Sequence, residues 1–334
     1  MRIAVIGAGA IGCLIAAYLK AKDEDVTLVG HDKSVRAIKN HGIAVSGVRG
    51  NTLVHMGIAD VLNYIPDLAI ITTKTQDINS ALQNNSCLLQ NSILLTTQNG
   101  VQADGLVAQY VPAQNVISSI VMFGATSLEP GKVVHNFEGS WVLGGYSDPR
   151  PSEALLAASL ILDKVFPTRV SENIRGMKYL KIFVNANNCL PAIIGKSMQD
   201  VFSDIAISRI SVAIWKEAFR VVDKAGIKLV SLPDFPLENL TKLAAMSSEL
   251  SAQVFSERMK NLSKEPLYGS ILQSIMRGKL SEIDYINGEF VQLAQANQMP
   301  APLNKILVEM VHEVEKNNRF FSKEELMHRT KEFI

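Results

Sequence analysis

The run Arg2-Ile3-Ala4-Val5-Ile6-Gly7-Ala8-Gly9-Ala10-Ile11-Gly12-Cys13-Leu14-Ile15-Ala16-Ala17-Tyr18-Leu19 decides the fold class. It reads as a short β-branched strand, a glycine turn and an Ala-rich helix, and Asp25-Val26-Thr27-Leu28-Val29 supplies a second strand. Each glycine answers a separate physical need. Gly7 permits the tight turn, Gly9 lets a pyrophosphate approach the backbone, and Gly12 removes the Cβ that would hold helix and strand apart. The helix N-terminus offers that anion unpaired N–H groups and a partial positive charge. Gly7, Ala8, Gly9, Ala10, Ile11 and Gly12 are therefore expected to cradle a dinucleotide. A glycine turn with no ligand is the plain alternative.

Composition narrows the rest. At 334 residues the chain is long for one core, so two domains are expected. A hydrophobic content of 47% against 19% charged residues fits a well-buried soluble protein, and the net charge of +1 offers no field for nucleic acid or a membrane surface. Cys13, Cys87 and Cys189 are too far apart in sequence for a metal-ligand pair or a disulfide framework. No metal and a reducing cytoplasm are the corresponding expectations. The first strand starts at once and its apolar run is broken by glycines, so neither a signal peptide nor a membrane span is expected.

Beyond the second strand stand Gly30-His31-Asp32-Lys33-Ser34-Val35-Arg36. An acidic residue at the strand end would suit a ribose 2′-OH and a basic neighbourhood a 2′-phosphate. The carboxylate comes two residues late and between His31 and Lys33, which points to NADPH with Lys33 and His31 near the phosphate and Arg36 a weaker candidate. A solvated helix face explains Lys33 and Arg36 nearly as well. The continuous apolar runs Leu68–Thr73 and Ser92–Thr97 read as parallel central strands. They end in Lys74-Thr75-Gln76 and Gln98-Asn99-Gly100, where open α/β sheets bind ligands. Lys74, Gln76 and Asn99 are thus candidates for cofactor and substrate contact, against ordinary polar loops and an Asn-Gly turn. Val116 to Tyr146 reads as strands extending the sheet, antiparallel, with His135 a packed strand histidine. Residues 1–170 form the expected dinucleotide-binding domain and 171–334 an all-α domain.

In the second half, Tyr179-Leu180-Lys181-Ile182-Phe183-Val184-Asn185-Ala186-Asn187-Asn188-Cys189 is informative. At about 100° per residue, Asn185 lies roughly 40° from Lys181 and Asn188 roughly 20° on the other side. The three make one polar stripe on an otherwise apolar helix. A buried lysine must be paired, depressed in pKa or used, which makes Lys181 a candidate proton donor; a solvated stripe is the alternative. Further on, Ser281-x-x-Asp284 resembles a capping box, with Glu282 in a first helical turn. Trp215 and Phe219 read as core, Met246 and Met259 as core filling, and Lys305 to Lys331 as a charged surface helix.

Taken together, Gly7, Gly9 and Gly12, Lys74 with Gln76, Asn99-Gly100, Lys181 with Asn185, Ser270 with Gln273, and Glu282-Ile283-Asp284-Tyr285-Ile286-Asn287-Gly288 resemble ketopantoate reductase (2-dehydropantoate 2-reductase) over nearly the full chain. The last run is the most specific. The resemblance implies an N-terminal Rossmann domain, an all-helical C-terminal domain, substrate in the cleft between them, and NADPH-dependent reduction of a 2-oxo acid on the way to pantothenate and coenzyme A. It also implies Lys181 as general acid and Glu282 as the carboxylate that holds the substrate's hydroxyl end. Asn99, Asn185 and Ser270 are implied as substrate contacts and Lys74 as a neighbour of the nicotinamide ribose. Cys189 stands where the family usually has a second asparagine, with Asn188 one residue away. Gln273-Ser274 replaces Gln-Asp, His31 an arginine, and Tyr179 a tryptophan. Two further readings share these residues: a reductase of another branched or hydroxylated 2-oxo acid, and a non-catalytic NADPH sensor. The expected partner is a small-molecule 2-oxo acid, and a homodimer is left open.

Overall fold

The computed structural model describes residues 1–263 and 265–334, with Leu128 described by its backbone alone. The chain divides into two compact units, Met1–Arg175 and Gly176–Ile334.

The first unit carries twelve strands: β1 (Arg2–Ile6), β2 (Asp25–Val29), β3 (Ile43–Gly47), β4 (Thr52–Val54), β5 (Gly57–Ala59), β6 (Leu68–Ile71), β7 (Ile93–Thr96), β8 (Val116–Val121), β9 (Gly124–Glu129), β10 (Lys132–Phe137), β11 (Trp141–Gly145) and β12 (Thr168–Val170). Its helices are α1 (Ala10–Lys20), α2 (Asp32–His41), α3 (Ile78–Gln83), α4 (Ser86–Leu89), α5 (Gln102–Val107) and α6 (Glu153–Asp163). The main sheet runs β12-β11-β8-β7-β6-β1-β2-β5, parallel except where β11 meets β8. In β1 the period of two splits the residues between two cores. Ile3 and Val5 pack with α1, whereas Ala4 and Ile6 pack with Ile78 and Leu82 of α3 and with Ala103 and Val107 of α5. Burial on both faces is why these strands are apolar without alternation.

The antiparallel extension expected from Val116 to Tyr146 is divided. Only β8 and β11 join the main sheet. Strands β9 and β10 form a second sheet, β4-β3-β10-β9, whose Val45, Val54 and Val133 pack in the same core as α1. The parallel pairing of β10 with β3 joins segments far apart in sequence, and no turn signal announces it. His135 of β10 is buried, its Nδ1 3.0 Å from the Tyr18 hydroxyl.

Helix α7 (Ile174–Ala186) leads the chain into the second unit, followed by α8 (Cys189–Ile194), α9 (Met198–Phe202), α10 (Ile205–Lys224), α11 (Leu237–Ala245), α12 (Ser248–Lys260), α13 (Ser270–Met276), α14 (Asn287–Ala296), α15 (Pro302–Asn317) and α16 (Lys323–Thr330). Asp204 caps α10 by accepting from the Ala206 and Ile207 N–H groups. The Phe183 ring meets Phe219 of α10 at 4.6 Å and Phe290 of α14 at 5.0 Å between centroids. The single charged surface helix expected over Lys305–Lys331 is instead two helices, and α15 is core: Leu307, Met310, Val311 and Val314 are buried. No helix among the described residues is long and apolar enough to cross a membrane.

Candidate active site

The parallel strands of the first unit bring the ends of β1, β2, β6 and β7 to one rim. Gly7, just past β1, has φ +122° and donates its N–H to Val29 O at 2.9 Å. A Cβ there would meet Thr73 N at 2.7 Å. A Cβ on Gly12 would fall 1.9 Å from Gly7 O, so helix and turn close only because it is absent. At Gly9, by contrast, a Cβ would meet nothing within 4 Å. That residue is the N-cap of α1, and no side chain caps the helix. The open side of Gly9 and the uncapped N-terminus, flanked by half-exposed Ala8, Ala10 and Ile11, fit a diphosphate. His31 is the N-cap of α2, Lys33 lies in its first turn, and both are exposed. Lys74, half-buried, precedes a 3-10 turn at Thr75–Asp77, and Gln76 within that turn is exposed. Asn99 is half-buried beside Gly100, whose φ is +83°.

Two residues that shape this rim escaped the sequence reading. The Thr72 hydroxyl bonds the carbonyls of Ile6 at 3.1 Å and Gly7 at 2.8 Å, locking the glycine turn to β6. Gln98 donates through Nε2 to Ile71 O and Thr73 O, at 2.9 and 2.8 Å, stitching β7 to β6. Both are polar residues at strand ends, a signal too common to single them out. The buried Thr73 hydroxyl has no hydrogen-bond partner within the protein, an acceptor and donor left over at the place where a ligand would bring one.

In the second unit, every residue from Gly176 to Leu190 is buried except Lys181, Val184, Asn185 and Asn188. That spacing is one open stripe along α7 and the turn beyond it. Burial, aided by the charge of Lys178 and opposed by that of Glu282, brings the Lys181 pKa down to about 8. Lys181 therefore lies in the electrostatic reach of Glu282, which the chain carries about a hundred residues later. Asn188 lies past the end of α7, in the turn before α8, with its side chain against Gly269. Gly269 is the N-cap of α13, and exposed Ser270 follows it. Lys181, Asn185 and Asn188 thus share the open stripe, with Asn188 against the residue that precedes Ser270 and Glu282 within the electrostatic reach of Lys181. Cys189 turns inward instead: it is fully buried, desolvation pushes its thiol up to about 12, and Asn287 bonds it.

The capping box expected at Ser281 and Asp284 does not form. Ser281 Oγ accepts from Ile283 N at 3.3 Å and Asp284 reaches His312 Nε2 at 3.0 Å. The segment Ile283–Tyr285 is a 3-10 turn, and Glu282 precedes it with no cap bond of its own. Missed entirely was Glu217, buried on α10, which accepts from Leu303 N, Asn304 N and Asn304 Nδ2 at 3.1, 2.8 and 2.8 Å. It supplies a cap to α15, whose first residue is Pro302, from across the unit. Among the described residues, no group of three or more His, Cys, Asp or Glu side chains could hold a metal ion.

Two family models match in tandem: ketopantoate reductase PanE/ApbA over residues 3–148 and its C-terminal counterpart over 173–315. The 2-dehydropantoate 2-reductase of Pyrococcus horikoshii is 30% identical over 312 residues, 93% of this chain and 96% of that protein. Among solved structures, a PanE/ApbA family ketopantoate reductase from Ralstonia eutropha superposes with a TM-score of 0.80 at 23% identity, covering 95% of this chain and 99% of the other. A D-mandelate dehydrogenase in complex with NADH gives 0.81 at 24% identity, over 96% and 100%. With both halves matched by one family and a relative of that identity aligned along almost its whole length, the chain belongs to the ketopantoate reductase family.

Proposed function

We propose that this protein reduces 2-dehydropantoate to pantoate with NADPH, in the cytoplasm and as a step toward pantothenate and coenzyme A. The observation that carries the reading is Lys181: an ammonium enclosed enough to have its pKa brought to about 8, on the open stripe of an otherwise buried helix, in the field of Glu282. The naming of relatives as 2-dehydropantoate 2-reductases supports the same substrate.

The glycine turn, with Gly9 open and α1 uncapped, holds the diphosphate, and His31 and Lys33 at the start of α2 receive the 2′-phosphate. Lys74 and Gln76 flank the nicotinamide ribose. When bound, the nicotinamide supplies hydride to the C2 carbonyl carbon. Lys181 Nζ gives its proton to the carbonyl oxygen, and its cation stabilises the alkoxide as charge develops there. Glu282 accepts the substrate's hydroxyl and sustains the protonated lysine. Asn99, Asn185, Asn188 and Ser270 orient the remaining polar groups of the acid. With Cys189 turned inward, Asn188 is the second amide, beside Asn185, on that stripe, which favours a second reading: a branched or hydroxylated 2-oxo acid other than ketopantoate.

A panel of 2-oxo acids assayed with NADPH and NADH, following loss of reduced-cofactor absorbance, tests both readings. Ketopantoate is expected to be the best substrate and NADPH the better donor. Turnover of another acid in its place selects the second reading. Tight NADPH binding with no turnover of any 2-oxo acid makes the protein a sensor and defeats both.

A further inference from the structure

Glu282 lies in a short turn, and both flanks of that turn are tied to one helix. On α15, His312 and Glu315 stand one turn apart. Glu315 Oε1 accepts the Ser281 N–H at 2.7 Å, while its Oε2 meets His312 Nδ1 at 3.1 Å. His312 Nε2 meets Asp284 Oδ1 at 3.0 Å. The chain thus runs Ser281 N–H, Glu315, His312, Asp284, and Glu282 lies between its two ends.

The protonation state follows from the bonding. A neutral imidazole has one N–H and one bare nitrogen, and a bare nitrogen facing a carboxylate oxygen repels it. Two carboxylates on two ring nitrogens are satisfied together only by the imidazolium. We infer that His312, as an imidazolium bridging Asp284 and Glu315, is a positioning residue that fixes the turn presenting Glu282 and so sets substrate affinity through pH. This rests on the role given to Glu282 under the proposed function.

The charged groups facing the ring are Asp284 from the 3-10 turn and Glu315 from its own helix, with Glu309 and Lys316 one turn to either side along α15. Burial lowers the ring pKa, but the bonds and charges of Asp284 and Glu315 outweigh it and raise it above the ordinary 6.5. The clamp is therefore closed below the raised pKa and loses one bond as pH rises through it. The Glu315 side chain is only 6% exposed, whereas His312 and Asp284 are about half exposed at 46% and 51%. The outer bond is accordingly the weaker link, the one that solvent and salt loosen first.

The test is KM for ketopantoate against pH in wild type, H312Q and H312R, with the ring titration of His312 followed by NMR in wild type and D284A. In wild type, KM is expected to rise as pH passes the ring titration. In H312Q, KM is expected to be high and flat across the same range, about tenfold above wild type at low pH, below the ~100-fold that a 1 Å misplacement at a reacting centre can cost. H312R, a permanent cation, restores part of that affinity, and kcat moves little in either variant. D284A lowers the ring titration. An unchanged KM in H312Q, with or without a drop in melting temperature, overturns the inference while leaving the reductase reading intact. A wild type that turns over no 2-oxo acid defeats the reductase reading, and this inference with it.

Discussion

Lys181 combines two demands that conflict. Desolvated, it is costly as an ammonium, yet the proton donor proposed here must carry its proton at working pH. A folded-state pKa of about 8 meets both, since the side chain stays mostly charged at neutrality and gives up its proton readily. Activity is expected to fall as pH rises through about 8, approaching tenfold per unit, because the donor is being titrated away. Glu282 raises the lysine's pKa, so E282Q is expected to move that descending limb to lower pH, besides weakening substrate binding; a pH–rate profile of kcat/KM reads both. Lys181→Ala is expected to cost about 10²- to 10⁴-fold in kcat with cofactor affinity retained, measured by single-turnover kinetics and cofactor titration. Stability should move the other way. The unfolded lysine titrates near 10.5 and the folded one near 8, so between these values the unfolded chain binds more protons and stability rises with pH. The penalty is fully present below about 8, and Lys181→Met is expected to raise the melting temperature there while lowering kcat as Lys181→Ala does.

Among elements, the first turn of α1 separates glycines by purpose. Gly12→Ala forces a Cβ against the Gly7 carbonyl and is expected to destabilise the first unit by about 3 kcal/mol or more, visible in urea unfolding. Gly9→Ala meets open space, with an ordinary φ of −86°, and should leave the melting temperature unchanged while weakening cofactor binding. At α2, Lys33→Ala is expected to reduce the NADPH-over-NADH preference by about tenfold, the worth of one charge-assisted contact to phosphate. Helix α15 depends on another element for its cap. Glu217→Ala strips three acceptor contacts from its N-terminus inside the core and should cost ~3 kcal/mol.

At the scale of the whole molecule, each unit was legible to a different depth. The strand, glycine turn and helix at the start of the chain are read directly from Arg2 to Leu19, because each step depends on residues adjacent in sequence. The open stripe of α7 was legible for the same reason: a period of 3.6 places Lys181 and Asn185 on one side whatever packs against the helix. That period fails just past Ala186, where the helix ends, and which of Asn188 and Cys189 faces outward was settled by packing against Gly269 and Asn287. The second sheet was not legible, because pairing β10 with β3 joins strands that no hairpin connects.

By itself, then, the amino-acid order determined an α/β half built on a strand, a glycine turn and a helix, a helical half, and a lysine on a polar stripe of an otherwise apolar helix. Tertiary structure decided which partners the polar side chains found. Glu217 reaches Asn304 across 87 positions, Ser281 reaches Glu315 across 34, and Asp284 reaches His312 across 28. Local periodicity carries no information over such separations. A carboxylate looks alike in sequence whether it ends in solvent, at a helix N-terminus or on an imidazolium, and only the packing of one helix against another makes the choice.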